Sequence, residues 1–431
     1  MKNKMVVIVT IVILLLVQLL SGCFEDEKSF NKKPTVVINY PETYDTVSKI
    51  VTISGEASDP NGDRTIKSVE IMINDSWISV DGTDKWIYSW NTYELDDGSY
   101  TIYVRAWDGD LYSDTKEVTI TVNNPDVVES NSHKWAIFTF VGNFPDDNES
   151  KLGNGGLYLA EEIASYLIEE KSYPTSNIYI LFDDGYIRKD NGLGKRLMSL
   201  QERIHEYDVF YAAATKNNFI SVIDDVVGSS NKFDDSEVFL WLSGHGCGDN
   251  ENPATGGKLF ERSSVYLWDD TLEDNELGTL LQNLKSKKTC IVVDACFSGG
   301  FADKTIYNMP ELFLFNSKIP SNGRVVITGA SKFRLGYASV STGPLFSTLW
   351  FYGLYSGDAD GYKSGILNSG RPSKLNLFKD DIVSVEEAFY YARYMLKNDA
   401  NLQNYSKMEP QISDRYPRKG IFGSSDGLVL G

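Results

Sequence analysis

From residue 134 onward the chain alternates short, almost uninterrupted apolar runs with amphipathic helical patterns, and few folds accept that alternation. The runs cover 135–141, 177–182, 237–242, 289–293 and 324–328. Strands that are apolar on both sides of the pleat need cover on both faces, as parallel strands have. Between the runs, 156–170 sets Leu157, Ala160, Ile163, Ala164, Leu167 and Ile168 on one helical face. Residues 219–227, 273–285 and 384–398 read as helices on the same grounds. The alternation predicts an α/β domain, a mostly parallel sheet flanked by helices on both faces.

The region before it obeys a different period. Thr35–Ile38, Ile50–Ile53, Val69–Ile73, Tyr100–Val104 and Val118–Val122 are rich in β-branched and aromatic residues and alternate at period two. Asp59-Pro60-Asn61-Gly62, Asp81-Gly82, Asp97-Gly98 and Asp108-Gly109 supply the turns. Short strands at this spacing predict an all-β sandwich over 34–123. It holds no cysteine, so no disulfide bridges its sheets.

The first thirty residues read as an address. Lys2 and Lys4 precede an apolar run from Met5 to Leu20, then Leu20-Ser21-Gly22-Cys23 and the acidic Glu25-Asp26-Glu27. A basic, apolar, small-residue order is that of an export signal. The Leu-Ser-Gly-Cys ending resembles a prokaryotic lipobox, which implies lipidation of Cys23 and a tether to the outer face of the cell membrane. An uncleaved anchor is the alternative, and both place the rest of the chain outside the cytoplasm. The expected order is signal 1–22, tether 23–33, sandwich 34–123, linker 124–133 and α/β domain 134–431. Sixty acidic against 41 basic residues give a formal charge of −19, which disfavours a nucleic-acid partner.

Two apolar runs end in small-residue turns that carry reactive side chains. The run 238–242 leads into Ser243-Gly244-His245-Gly246-Cys247-Gly248. The run 290–293 leads into Asp294-Ala295-Cys296-Phe297-Ser298-Gly299-Gly300. Ligands of parallel α/β sheets bind beyond the carboxyl ends of strands. If these two strands are neighbours, an imidazole and a thiol meet there, and a positioned histidine is what a thiol needs to become an effective nucleophile. Backbone N–H groups of the glycine-rich turns are available to an oxyanion. Cys290 begins its strand, about 20 Å of extended chain from Cys296, and reads as buried packing. Cys247 reads as a free thiol, with a disulfide to Cys296 as the alternative. His133 and His205 read as a linker residue and a solvated helix residue.

These turns resemble those of the caspase-like clan of cysteine peptidases, the legumains, metacaspases, clostripain, gingipains and caspases. The 51-residue separation of His245 and Cys296 fits the order of that clan. Ile327–Ser331, Gly343–Ser347 and Glu386–Ala392 resemble its later segments, and the Asp-Ala-Cys turn leans toward the legumain and metacaspase side. The resemblance implies that Cys296 attacks a scissile carbonyl and that His245 moves the proton. It implies an oxyanion hole from the N–H groups of Gly246 and Cys296, and substrate binding by Asp294 and Ser331. An ionised Asp294 favours Lys or Arg before the cut, although legumains with an acid there prefer Asn. Separately, residues 97–108 resemble bacterial immunoglobulin-like modules of surface proteins.

The resulting expectation is a cell-surface cysteine endopeptidase with polypeptide substrates. A surface adhesion protein with an inactive caspase-like scaffold and a legumain-like transpeptidase stand as alternatives. No third catalytic residue is nameable from the motifs. No cofactor is expected, with calcium as the alternative because some members of the clan use it; Asp358-Ala359-Asp360-Gly361 opens like a calcium loop, but no glutamate follows within the twelve residues such a loop requires. The acidic pairs Asp146-Asp147, Asp183-Asp184 and Asp234-Asp235 read as solvated loops.

Overall fold

The computed structural model describes residues 31–62, 65–92, 95–124, 133–143, 152–189, 194–247, 261–305, 309–310, 316–364, 372–374, 379–417 and 427–431. The export signal and Cys23 therefore lie outside the described residues, as does the Asp146-Asp147 pair. No helix among the described residues is long and apolar enough to cross a membrane. By proximity the chain divides into two compact units, one of Met1–Ile38, Gly55–Trp86 and Ile102–Glu117, the other of Asn39–Ser54, Ile87–Thr101 and Val118–Gly431.

The period-two segments form strands. Thr35–Tyr40, Ile50–Ser58, Lys85–Asn91 and Asp81–Gly82 make one sheet, in that order. Thr46–Val47, Lys116–Val122, Gly98–Trp107, Ser68–Met72 and Trp77–Ser79 make another. Alternation is visible in the burial of Gly98–Trp107, where Ile102, Val104 and Ala106 are fully buried and their neighbours are not.

The α/β part is built on seven strands: β1 (Lys134–Val141), β2 (Ile178–Phe182), β3 (Phe210–Ala212), β4 (Glu237–Gly244), β5 (Lys288–Asp294), β6 (Arg324–Thr328) and β7 (Gln411–Asp414). Their order is β3-β2-β1-β4-β5-β6-β7. All neighbours run parallel except β7, which pairs antiparallel with β6. Five of the seven are the apolar runs. The other two are edge strands: β3 has only three residues, and β7 is polar at Gln411, Ser413 and Asp414.

Among the described residues, five helices cover the sheet: α1 (Gly155–Glu169), α2 (Lys216–Ser230), α3 (Asp274–Leu280), α4 (Leu345–Ser356) and α5 (Val385–Asn398). Side chains of β1 point alternately to opposite faces. Ala136, Phe138 and Phe140 join a core with Leu157, Ile163 and Leu167 of α1, Phe346 and Trp350 of α4 and Phe389 of α5. Trp135, Ile137 and Val141 join the other core, with Phe219, Val222 and Val226 of α2 and Leu277 of α3. Both faces are covered, which is why the strands could be apolar throughout. Helix α2 starts three residues earlier than its apolar periodicity, because Thr215 caps it by accepting the N–H of Asn218 at 3.3 Å. Helix α3 is shorter than 273–285, with a capping box of Glu273 and Glu276 at its start.

Candidate active site

Strand register brings the two reactive turns together. β4 and β5 pair in parallel with Leu242 opposite Val293 and Ser243 opposite Asp294. Two more residues along each chain lead to His245 and Cys296, so the imidazole and the thiol leave the sheet at the same level. Ser243 ties the ends by donating its Oγ–H to the carbonyl of Asp294 at 2.6 Å. Both reactive residues line one cavity of about 90 Å³ with Leu152, Asp294, Tyr337 and Pro344. Larger cavities of about 220 and 240 Å³ elsewhere hold no thiol; side-chain chemistry, not volume, singles out the smaller one.

Two backbone features shape the turns. A Cβ on Gly246 would lie 1.9 Å from the carbonyl oxygen of Cys296, so only glycine lets these backbones approach so closely. After Cys296, Phe297 has φ 58°, a left-handed conformation that costs a non-glycine residue about 1–2 kcal/mol. That turn is held from several sides. The N–H of Phe297 donates to the carbonyl of Arg334 at 2.8 Å, and its carbonyl accepts the hydroxyl of Ser263 at 2.5 Å. Ser263 in turn accepts the N–H of Gly300 at 3.0 Å.

The thiol is half-buried. Gly336 flanks it, its N–H donating to Sγ at 3.3 Å and its carbonyl lying 3.7 Å from Sγ. Burial pushes the Cys296 thiol above its ordinary range and the charge of Asp294 adds to this, while the N–H groups of Gly336 and Gly246 pull the other way. The resting sulfur is therefore a thiol near neutral pH, and it needs a base to react.

Asp294 lies almost wholly buried at the floor. Its Oδ2 accepts both the N–H and the hydroxyl of Ser347, each at 2.8 Å. Ser347 is the third residue of α4, so Asp294 serves that helix as an N-terminal acceptor. Burial nevertheless pushes the carboxyl up to about 6, and no cation pairs with it among the described residues.

Ser331, expected at the substrate, lies away from this cavity. It is fully buried, its Oγ–H donates to Glu409 at 3.3 Å, and it does not line the cavity. Glu409 comes from the segment leading into β7, too distant in the chain for the local motif to reveal. Cys290 packs in the core, as its strand position suggested. Cys247 lies on a two-residue strand, Gly246–Cys247, opposite Ser264; its side chain is outside the described ones. His205 is not on a helix face: its ring stacks on Tyr211 at 3.8 Å, and its Nε2 lies 2.5 Å from the carbonyl of Leu200. His133 stacks on Phe233 and its Nδ1 lies 2.6 Å from Asp235. Asp360, in the calcium-like stretch, accepts the N–H groups of Asp380 and Asp381 and lies 3.9 Å from Lys379.

One acidic pair departs from expectation altogether. Asp183 and Asp184 close β2 and are fully buried rather than solvated. Asp184 pairs with Arg188 at 2.7 Å and Arg196 at 2.6 Å. Asp183 binds the end of β1 at Gly142 and Asn143, which the motif reading missed. The available signal was the Gly-Asn that ends the first apolar run, at the same edge as the other two turns.

Comparison with known proteins agrees with this architecture. A caspase-domain family model matches residues 188–359, and a bacterial Ig-domain model matches 34–104. No curated protein matches the chain. Among solved structures, caspase-1 from Spodoptera frugiperda is 9% identical, with 66% of this chain and 87% of that one covered, at a TM-score of 0.36. Fibronectin(III)-like modules of Clostridium thermocellum CbhA are 28% identical, covering 21% of this chain and 47% of theirs, at 0.18. The endo-beta-1,4-mannanase from Thermotoga petrophila is 13% identical, covering 22% of this chain and 20% of that one, at 0.20. The chain thus spans about a fifth of the mannanase and about half of the CbhA modules. With sheet order, reactive turns and family matches in agreement, the chain carries a caspase-like domain behind an N-terminal bacterial Ig-like domain.

Proposed function

We propose that this protein is a cysteine endopeptidase that hydrolyses peptide bonds with Cys296 and His245. The observation that carries the reading is the shared level of these two residues beyond β4 and β5, over one cavity. His245 takes the proton of the half-buried thiol and later delivers it to the leaving amine. Sγ attacks the carbonyl carbon, the amine departs, and water then opens the thioester. The N–H groups of Gly246 and Cys296 receive the oxyanion. Asp294 has no cationic partner among the described residues and lines the same cavity, which favours Lys or Arg before the scissile bond. The Ig-like domain and the lipobox-like Cys23 fit an enzyme exported and tethered at the cell surface.

The test is cleavage of fluorogenic peptides carrying Arg, Lys, Asn or Asp before the reporter. Cys296→Ala and His245→Ala should each lower kcat/KM by a factor of about 10³ or more. Turnover that survives Cys296→Ala would end the assignment.

A further inference from the structure

The pairing of β4 and β5 ends at Ser243 and Asp294, two residues short of His245 and Cys296. Past that point one short segment touches both reactive turns. The strand Ser264–Tyr266 pairs antiparallel with Gly246–Cys247, and Val265 stands opposite Gly246. The N–H of Tyr266 donates to the carbonyl of His245 at 2.9 Å. Ser263, just before this strand, grips the other turn. Its Oγ–H donates to the carbonyl of Phe297 at 2.5 Å, and its Oγ accepts the N–H of Gly300 at 3.0 Å. The stretch Ser263–Tyr266 thus holds the imidazole turn at one end and the thiol turn at the other.

Ser263 is itself buried and fixed. Its N–H donates to Oδ2 of Asp274 at 3.1 Å, and its carbonyl accepts the N–H of Asp274 at 2.9 Å. Asp274 opens α3, and its Oδ1 pairs with Arg262 at 3.1 Å. The packing leaves no slack around the hydroxyl. A Cβ on Gly300 would lie 2.6 Å from Oγ of Ser263 and 2.5 Å from Oδ2 of Asp274.

The hydroxyl acts where the thiol turn is least able to hold itself. Phe297 follows Cys296 at φ 58°, and a residue with a Cβ keeps that left-handed conformation only while its surroundings fix it. The carbonyl of Arg334 holds its N–H, and Ser263 holds its carbonyl. Without the hydroxyl, the carbonyl of Phe297 and the N–H of Gly300 both lose a buried partner. The turn is then free to relax, and Cys296 moves with it. A displacement of about 1 Å between reacting groups can cost about 10²-fold in rate.

We propose that Ser263 is a positioning residue: its hydroxyl fixes the thiol turn to the strand that carries the His245 turn, and so sets the separation of imidazole and sulfur. In its kinetic part the proposal rests on the peptidase reading above.

Ser263→Ala should lower kcat at least about tenfold with KM within about twofold of the parent. Ser286 supplies the control. It is also buried, and its Oγ–H donates to the carbonyl of Ser236 at 2.5 Å, just before the opposite ends of the same two strands. Ser286→Ala should keep kcat within about twofold of the parent, whatever its melting temperature. A folded Ser263→Ala with parental kcat overturns the proposal, as does an equal loss of kcat in Ser286→Ala.

A second readout needs no turnover. The pH profile of Cys296 alkylation by iodoacetamide, resolved by mass spectrometry, reports the imidazole–thiol pair. His245→Ala gives the profile of the thiol without its imidazole. Ser263→Ala should displace the parental profile toward that one, to higher pH by about half a unit or more, and Ser286→Ala should not. Gly300→Ala, whose methyl would push on the same hydroxyl, should displace it in the same direction and serves if Ser263→Ala does not fold. A parent that cuts no peptide while Ser263→Ala still moves the profile removes the peptidase reading and supports the positioning role. A profile moved by His245→Ala but superimposable in Ser263→Ala overturns the positioning role alone. If His245→Ala leaves the profile in place, no imidazole–thiol pair exists and both fall.

Discussion

At the scale of single residues, the site turns on carboxylates that burial has made reluctant to ionise. Asp294 titrates near 6 because desolvation outweighs its two bonds from Ser347. A Lys or Arg side chain in the cavity is attracted only by the ionised form. Cleavage after basic residues should therefore weaken, through a rise in KM, as the pH falls through about 6, whereas cleavage after Asn should not share that limb. Identical acid limbs for both substrates would count against Asp294 as the specificity group. Asp294→Asn keeps an acceptor for Ser347 and should erase the preference for basic residues by about 10- to 100-fold without unseating α4.

Elements place these residues, and their ends matter more than their middles. The Ser384–Glu387 capping box starts α5: Ser384 accepts the N–H of Glu387 at 3.2 Å, while Glu387 accepts the N–H and hydroxyl of Ser384 at 3.0 Å each. Ser384→Ala should cost about 1 kcal/mol of stability, seen as a melting temperature about 2–4 °C lower, with catalysis unaffected. An unchanged melting temperature would show that tertiary packing alone holds the helix start. The same lesson governs legibility. The central strands announce themselves because two-sided burial demands continuous Val, Ile, Leu and aromatic residues. Strands β3 and β7 do not, since short or polar edge segments lack that demand. His245 and Cys296 are readable because each closes such a run with glycine nearby. Asn143 closes another, but an amide is no nucleophile, and only register brings the end of that strand to the same edge of the sheet. Ser331 shows the reverse case: its local motif suggested a groove, and Glu409, 78 positions further along the chain, buries it.

On the scale of the whole molecule, three buried acids bias stability against rising pH. Burial raises Asp183 to about 7 and Asp274 and Asp294 to about 6, from an ordinary 3.8. Each binds its proton more tightly folded than unfolded, so the contribution is present below pH 3.8 and is lost as the pH climbs through 6 and 7. Asp114, Asp235 and Asp270 are held low by Lys33, His133 and Lys216. They are exposed, and their opposite contribution changes only below about pH 4. The net charge of −19 adds self-repulsion that protonation relieves. The urea midpoint should therefore be higher at about pH 5 than at about pH 7.5, and a midpoint that rises instead would contradict these burial effects.

By itself, the order of residues determined the two kinds of architecture, the five central strands and the pair of reactive turns, because periodicity and strand-end chemistry are local properties. Tertiary structure alone decided that the turns share one level, that Ser331 is sealed off, and that a pair of apparently solvated aspartates lies buried at the sheet edge that carries His245 and Cys296. Those outcomes depend on which strands become neighbours and in what register, and hydrogen bonding between segments far apart in the chain leaves no local trace.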